Sequence, residues 1–220
     1  MELTIFQRLQ ELPLLQGLNM NDMNEIVTKV RLDFQQLAEY ETIALQMSYC
    51  KKLIFVLKGT VRVEYIDPEN RFRFVEYVEA PTVIEPQSMF GMNQKYERTY
   101  VCETVCQTLA IDRSQFISIM LNYNIIKANT LNYISNKLQR INRKVVTLSH
   151  EDAYQKFCQL IRFYSIVPHG KKHLYATMDQ LADMFCETRL NVSKMLKSLK
   201  DKGIIEQERK TFTILDIDKL

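Results

Sequence analysis

The chain has no tryptophan, five glycines, five prolines and three histidines among 220 residues. So little glycine and proline excludes collagen-like repeats and long low-complexity stretches. No apolar run approaches the ~20 residues that a bilayer span requires; the longest, Leu53-Ile-Phe-Val-Leu57, is the length of a strand. The N-terminal Met1-Glu-Leu-Thr-Ile-Phe-Gln-Arg lacks a basic segment followed by an apolar one, so a soluble, cytoplasmic protein with no membrane partner is expected. Five cysteines lie far apart in a chain without an export signal, which argues for reduced thiols. Cys102 and Cys106 fall in one expected strand, some ~13 Å apart and too far to join. No Gly-x-Ser-x-Gly, phosphate-loop or His-Glu-x-x-His pattern occurs, so no catalytic residue and no enzymatic role is assigned. His169 and His173 have no neighbouring acid or cysteine, and no metal site is expected.

Residues 1–27 read as short helices, with Phe6, Leu9, Leu12 and Leu15 at helical spacing. From about Arg31 to Ile111 the texture changes to short β-branched and aromatic runs: Thr42–Gln46, Leu53–Leu57, Val61–Ile66, Arg71–Val78, Val101–Val105 and Thr108–Ile111. Two of them alternate with period two, the mark of a half-buried strand, around an Asp67-Pro-Glu-Asn70 turn. Short strands at such spacing indicate a roll or barrel rather than a βαβ unit. Asp112 is placed to cap a helix carrying Phe116, Ile119 and Met120. A longer helix follows from about Asn124 to Leu148. Its Leu131, Ile134, Leu138, Ile141, Val145 and Leu148 step by 3, 4, 3, 4 and 3, the pattern of a coiled-coil seam. A homodimer through this helix is the expected assembly.

Past Ser149 the pattern is helical. Ala153, Phe157, Leu160, Ile161 and Tyr164 form one stripe, ended by Pro168 and Gly170. Thr177-Met-Asp-Gln180 is a capping box. Thr188 caps a second helix through Lys202, stopped by Gly203, and Ile204 onward turns near Arg209-Lys210 into a hairpin with Thr211–Leu215. Two short helices and a hairpin make a winged helix-turn-helix.

The net charge is only +3, from 29 basic and 26 acidic residues. Yet residues 188–202 alone hold Arg189, Lys194, Lys197, Lys200 and Lys202 against Asp201, a local excess of four. An α-helix fits the major groove and offers its N-terminal side chains to base edges. Arg189 is placed for bidentate contact with guanine. Asn191, Ser193 and Lys194 reach bases or phosphates; Thr188, Lys197 and Lys210 suit phosphates.

Leu53-Ile-Phe-Val-Leu-Lys-Gly-Thr-Val-Arg-Val63, Leu181-Ala-Asp-Met184, Thr188-Arg-Leu-Asn-Val-Ser-Lys-Met-Leu196 and Leu199-Lys-Asp-Lys-Gly-Ile-Ile205 resemble the Crp–Fnr family of bacterial transcription regulators over nearly the whole chain. The resemblance implies an α+β protein. Residues 1–123 would form an antiparallel β-roll (a double-stranded β-helix, cupin-like) serving as sensor. Residues 124–149 would form the dimerisation helix, and residues 150–220 the winged helix-turn-helix. It implies double-stranded DNA bearing an inverted repeat as partner, with RNA polymerase and a small-molecule effector as further partners. In the family, Arg189 and Lys194 correspond to base- and phosphate-contacting positions. Leu190 stands where glutamate is usual, and Cys186 where the turn often has glycine.

Cyclic-nucleotide-binding members offer a Gly-Glu pair and an Arg-Ser or Arg-Thr pair; Gly91-Met92 and Arg98-Thr99 stand for them here, with Asn142 facing the base from the long helix. Met92 cannot accept a hydrogen bond from a ribose hydroxyl as a carboxylate does. The expected effector is therefore not cyclic AMP. No cofactor is expected: the iron–sulfur members need an N-terminal cysteine cluster, whereas the first cysteine here is Cys50, and haem is not expected either. The alternatives are a cyclic-nucleotide-responsive regulator with an atypical pocket and a cupin-like enzyme that binds small molecules.

Overall fold

A computed structural model of the chain describes residues 9–69, 71–145 and 152–220, without the side chains of 140–145 and 218. Phe6, Asn70 and Leu148 of the patterns above therefore lie outside the described residues. The chain forms two compact units, residues 1–61 with 79–139, and residues 62–78 with 140–220.

In the first unit, helix α1 (Met20–Lys29) is capped by Asn19, whose side chain accepts from the Asp22 N–H at 2.8 Å. Strands β1 (Asp33–Leu37), β3 (Lys52–Lys58), β6 (Thr82–Ile84) and β8 (Cys106–Asp112) form an antiparallel sheet in the order β1-β8-β3-β6. Leu53 faces Ile111 and Phe55 faces Leu109 across β3 and β8, and all four are buried. Strand β2 (Thr42–Ala44) pairs with β7 (Thr99–Cys102). Helices α2 (Arg113–Asn122) and α3 (Asn124–Val145) follow. Asp112 occupies the cap position of α2, but its side chain makes no cap hydrogen bond, contrary to expectation. Asn129 ties α3 to the N-terminal segment by donating to the carbonyls of Leu14 (3.3 Å) and Gln16 (2.8 Å).

The single strand expected over Val101–Val105 is instead an end and a turn. β7 stops at Cys102, β8 starts at Cys106, and both thiols are buried at the base of the turn between them. The Cys106 thiol donates to the carbonyls of Thr60 at 3.5 Å and Thr104 at 3.3 Å, and with the two cysteines on opposite arms of a turn the ~13 Å spacing of an extended strand does not apply here. Burial pushes the Cys102 thiol up to about 12, which keeps it protonated.

In the second unit, β4 (Thr60–Ile66) and β5 (Arg73–Glu79) meet at a turn clamped by Asp67, whose carboxylate accepts from Arg71 Nε at 2.9 Å and Nη2 at 3.1 Å. This hairpin, read from sequence as part of the sensor, packs with residues 140–220. Strand β9 (Lys172–Tyr175) pairs on one side with β5, Phe74 opposite Leu174. On the other it pairs with β11 (Thr211–Ile214), which pairs in turn with β10 (Ile205–Glu208). Helices α4 (Ala153–Tyr164), α5 (Met178–Phe185) and α6 (Arg189–Asp201) cover a core that includes Phe74, Phe157, Ile161, Leu174, Leu181, Leu196 and Phe212. Tyr164 packs on Tyr65 and Phe72 with ring centroids 4.6 and 4.9 Å apart.

Lys172 and Glu76 lie at the centre of this unit with both side chains fully buried, 2.8 Å apart. The Glu76 carboxylate also accepts from the backbone N–H groups of Ile166 at 2.7 Å and Val167 at 3.4 Å, and Lys172 donates to the His169 carbonyl at 2.9 Å. A buried pair survives only when its remaining donors and acceptors are met in this way. His173 is held by Thr213 Oγ1 at 3.0 Å, and among the described residues no group of three His, Cys, Asp or Glu side chains could hold a metal ion.

Candidate nucleic-acid interface

Helix α5 starts with the capping box read from sequence: Thr177 Oγ1 accepts from the Gln180 N–H at 3.2 Å, and Gln180 Oε1 accepts from the Thr177 N–H at 2.7 Å. It ends at Cys186, a non-glycine residue in the left-handed region at φ 50°, where Cys186 N–H and Glu187 N–H close the last turn. The cost of that conformation in a residue with a Cβ is accepted at the turn. Lys156 steadies it from α4 by donating to the Phe185 carbonyl at 2.7 Å and pairing with Glu187 at 3.4 Å.

Thr188 then caps α6 by accepting from the Asn191 N–H at 3.2 Å. Val192, Met195, Leu196 and Leu199 turn inward. Arg189, Leu190, Asn191, Ser193, Lys194, Lys197 and Lys200 are all exposed. The predicted contact residues of α6 are thus all solvent-exposed, and Thr188 has a second, structural task as the cap. Asn191 Nδ2 is already engaged with Glu187 Oε2 at 3.1 Å, and these bonds, Asn191 first and Lys156 next, hold the Glu187 carboxyl below its usual value. Arg189 pairs with Asp179 at 3.3 Å, both side chains about two-thirds exposed. Such a pair contributes little and yields readily to a stronger acceptor. Lys210 sits in the left-handed region at φ 63° in the turn of the terminal hairpin, exposed, with its carbonyl accepting from Ala176 N–H at 3.1 Å.

Sequence reasoning missed Asp179, Glu187 and Lys156. The four-residue step from Glu187 to Asn191 was the available signal for one; the other two reach across the helices.

The expected effector residues fare differently. Met92 is wholly exposed, at 105%, and Gly91 is exposed beside it. Thr99 is half-buried and its hydroxyl accepts from the Gln46 N–H at 3.0 Å, while Arg98 has partners of its own. Glu97 pairs with Lys137 of α3 at 3.0 Å. The side chain of Asn142 lies outside those described. The acid that organises this segment is Glu85, unsuspected from sequence. It is buried at φ 34° and accepts from Ser88 Oγ (2.9 Å), the Glu97 N–H (2.7 Å) and the Tyr100 hydroxyl (3.1 Å). Burial raises its pKa above the ordinary carboxylate value.

On α3, Leu131 and Leu138 are 59% and 56% exposed and Ile134 is half-buried; the side chains of Ile141 and Val145 lie outside those described.

A capped basic helix exposed after a two-helix turn, with a terminal hairpin and a separate β-sheet unit, defines a DNA-binding transcription regulator of the winged helix-turn-helix class. A Crp-like helix-turn-helix domain matches residues 155–220 and a cyclic nucleotide-binding domain residues 34–123. The cAMP-activated global transcriptional regulator CRP of Haemophilus influenzae is 23% identical over 168 residues, 74% of this chain and 75% of that protein. The cAMP-activated global transcriptional regulator Vfr of Pseudomonas aeruginosa is 20% identical over 181 residues, 79% and 85% of the two chains. Among solved structures, the Thermus thermophilus catabolite activator protein superposes with a TM-score of 0.56 at 16% identity over 94% of this chain and 95% of that one. The c-di-GMP-responsive global regulator CLP of Xanthomonas campestris does so with 0.53 at 16% identity over 90% and 99%; both show the fold. The two matched domains together are those of Crp–Fnr family transcription regulators, which are not enzymes. Among the described residues no helix is long and apolar enough to cross a membrane.

Proposed function

We propose that the protein works in the cytoplasm as a homodimer that reads an inverted repeat in double-stranded DNA, under the control of an effector other than cyclic AMP. The carrying observation is the outward face of α6. Every exposed charged side chain from Arg189 to Lys200 on it is basic. It starts from a cap and turn held by Thr188, Lys156 and Glu187, which leaves the N-terminal side chains presented to a groove. The exposed Leu131 and Leu138 on α3 favour the dimer, since two leucines seven residues apart on a helix form an apolar seam that a second copy covers. Two recognition helices about one turn of DNA (~34 Å) apart then demand a two-fold operator.

Against cyclic AMP stand the solvent-facing Met92 and the commitment of Glu85 to three protein donors. RNA polymerase is the natural further partner of such a regulator. The test is selection of bound duplexes from a genomic library with wild type and Leu138→Asp. Wild type should enrich inverted repeats and sediment as a dimer; Leu138→Asp should sediment as a monomer and lose the repeat. A dimeric Leu138→Asp that keeps its operators would refute the seam. Calorimetry with cyclic AMP should give no binding heat, and binding lost in Arg98→Ala would refute the effector reading.

A further inference from the structure

Resting on the assignment of α6 as the helix that reads DNA, we propose that Leu190 is a specificity-determining residue that recognises thymine through its C5-methyl group. Leu190 is 62% exposed in the first turn of α6, between Arg189 and Asn191. At about 100° per residue, it projects nearly opposite the buried ridge of Val192, Met195, Leu196 and Leu199. Its neighbours on the outer face, three, four and seven residues on, are Ser193, Lys194 and Lys197. Leu190 is the one apolar side chain on that exposed face, and it stands near its middle rather than at an edge where it could fold back onto the core.

A branched apolar side chain framed by cations, at the end of the helix that enters the groove, needs an apolar partner within a polyanion. Among the major-groove base edges only thymine carries a methyl group; guanine, cytosine and adenine are read there through their donors and acceptors. Leucine neither donates nor accepts, so it discriminates by excluding water from that methyl and by leaving unpaired any polar edge placed against it. The surrounding lysines supply the attraction that brings the duplex in, without sequence preference.

The experiment selects a half-site from a random duplex library and replaces each thymine in turn by deoxyuridine, which removes the methyl and nothing else. With wild type, one thymine per half-site should prove sensitive, its replacement weakening binding about fourfold, the value of one buried methyl group. Leu190→Ala, which alters an exposed side chain, should bind the thymine and uridine duplexes equally while keeping its salt-dependent affinity. Uridine tolerated everywhere by wild type, or a methyl effect undiminished in Leu190→Ala, would overturn the proposal. So would a change in sedimentation of Leu190→Ala with the methyl effect intact, which would place Leu190 in a protein contact. Sequence-specific but methyl-blind binding refutes Leu190 alone, whereas absence of any selected sequence refutes the DNA-reading assignment itself.

Discussion

Replacing Lys172 by methionine isolates the energetic role of the buried ion pair. The side chain keeps its length and volume, so packing around β9 changes little, but the fully buried Glu76 carboxylate loses the ammonium 2.8 Å away. Among the partners it retains are the N–H groups of Ile166 and Val167, which are dipoles. Breaking one side of such a pair costs ~3–5 kcal/mol, because the remaining charge stays desolvated. Amides of β5 and β9 that open with this unit should therefore exchange with solvent ~10²- to 10⁴-fold faster, as each 1.4 kcal/mol is a factor of ten. Hydrogen exchange read by mass spectrometry on peptides covering 73–79 and 172–175 makes the measurement. The companion Glu76→Gln with Lys172→Met removes both charges, while the amide oxygen introduced at position 76 still accepts from the Ile166 N–H, and should restore most of the protection. Equal exchange in the single and double variants would refute the reasoning, since the loss would then come from packing rather than from an uncompensated charge.

Three further outcomes are expected. Gly59 sits at φ +105° and a Cβ there would lie 2.7 Å from the Val105 carbonyl oxygen and 2.9 Å from Cys106 Sγ; Gly59→Ala should lower stability by about 1–3 kcal/mol in thermal unfolding, and an unchanged Tm would contradict it. Burial raises the folded pKa of Glu85 above 4.5. The folded state then holds that proton more tightly than the unfolded chain, so its stabilising contribution is full below 4.5 and lost as pH rises through the folded value. Glu85→Gln should abolish that fall, and parallel stability curves for the two proteins would contradict it. Asp179→Asn removes the carboxylate that holds Arg189 at 3.3 Å; freeing so exposed a pair should tighten DNA binding by about 1.5- to 5-fold, and weaker binding would show that Asp179 orients Arg189 productively.

The alternation of Val61–Ile66, the capping box at Thr177–Gln180 and the basic helix after Thr188 were all legible, because each is a local pattern that the structure obeys locally. β1, with the polar sequence Asp33-Phe-Gln-Gln-Leu37, was not: an exposed strand carries no apolar period. β9 was hidden because Lys172 reads as a surface lysine, and only Glu76, ninety-six residues away, makes it a core residue. The same long-range dependence concealed Glu85, whose partners Glu97 and Tyr100 come from a later segment. Met92 was legible as a departure, since it stands where the resemblance calls for a glutamate, and it lies exposed.

With α6 in the major groove, Arg189 would lie on base edges and Lys197 on phosphate, and competition binding of wild type, Arg189→Ala and Lys197→Ala to a selected operator, its single-base variants and unrelated duplex separates the two roles. Arg189→Ala should lose about 1–3 kcal/mol on the operator and flatten the preference at one base position, while Lys197→Ala should weaken every duplex alike and reduce the salt slope by about one. Full operator discrimination retained by Arg189→Ala, with Lys197→Ala as tight as wild type at every salt concentration, would contradict the account.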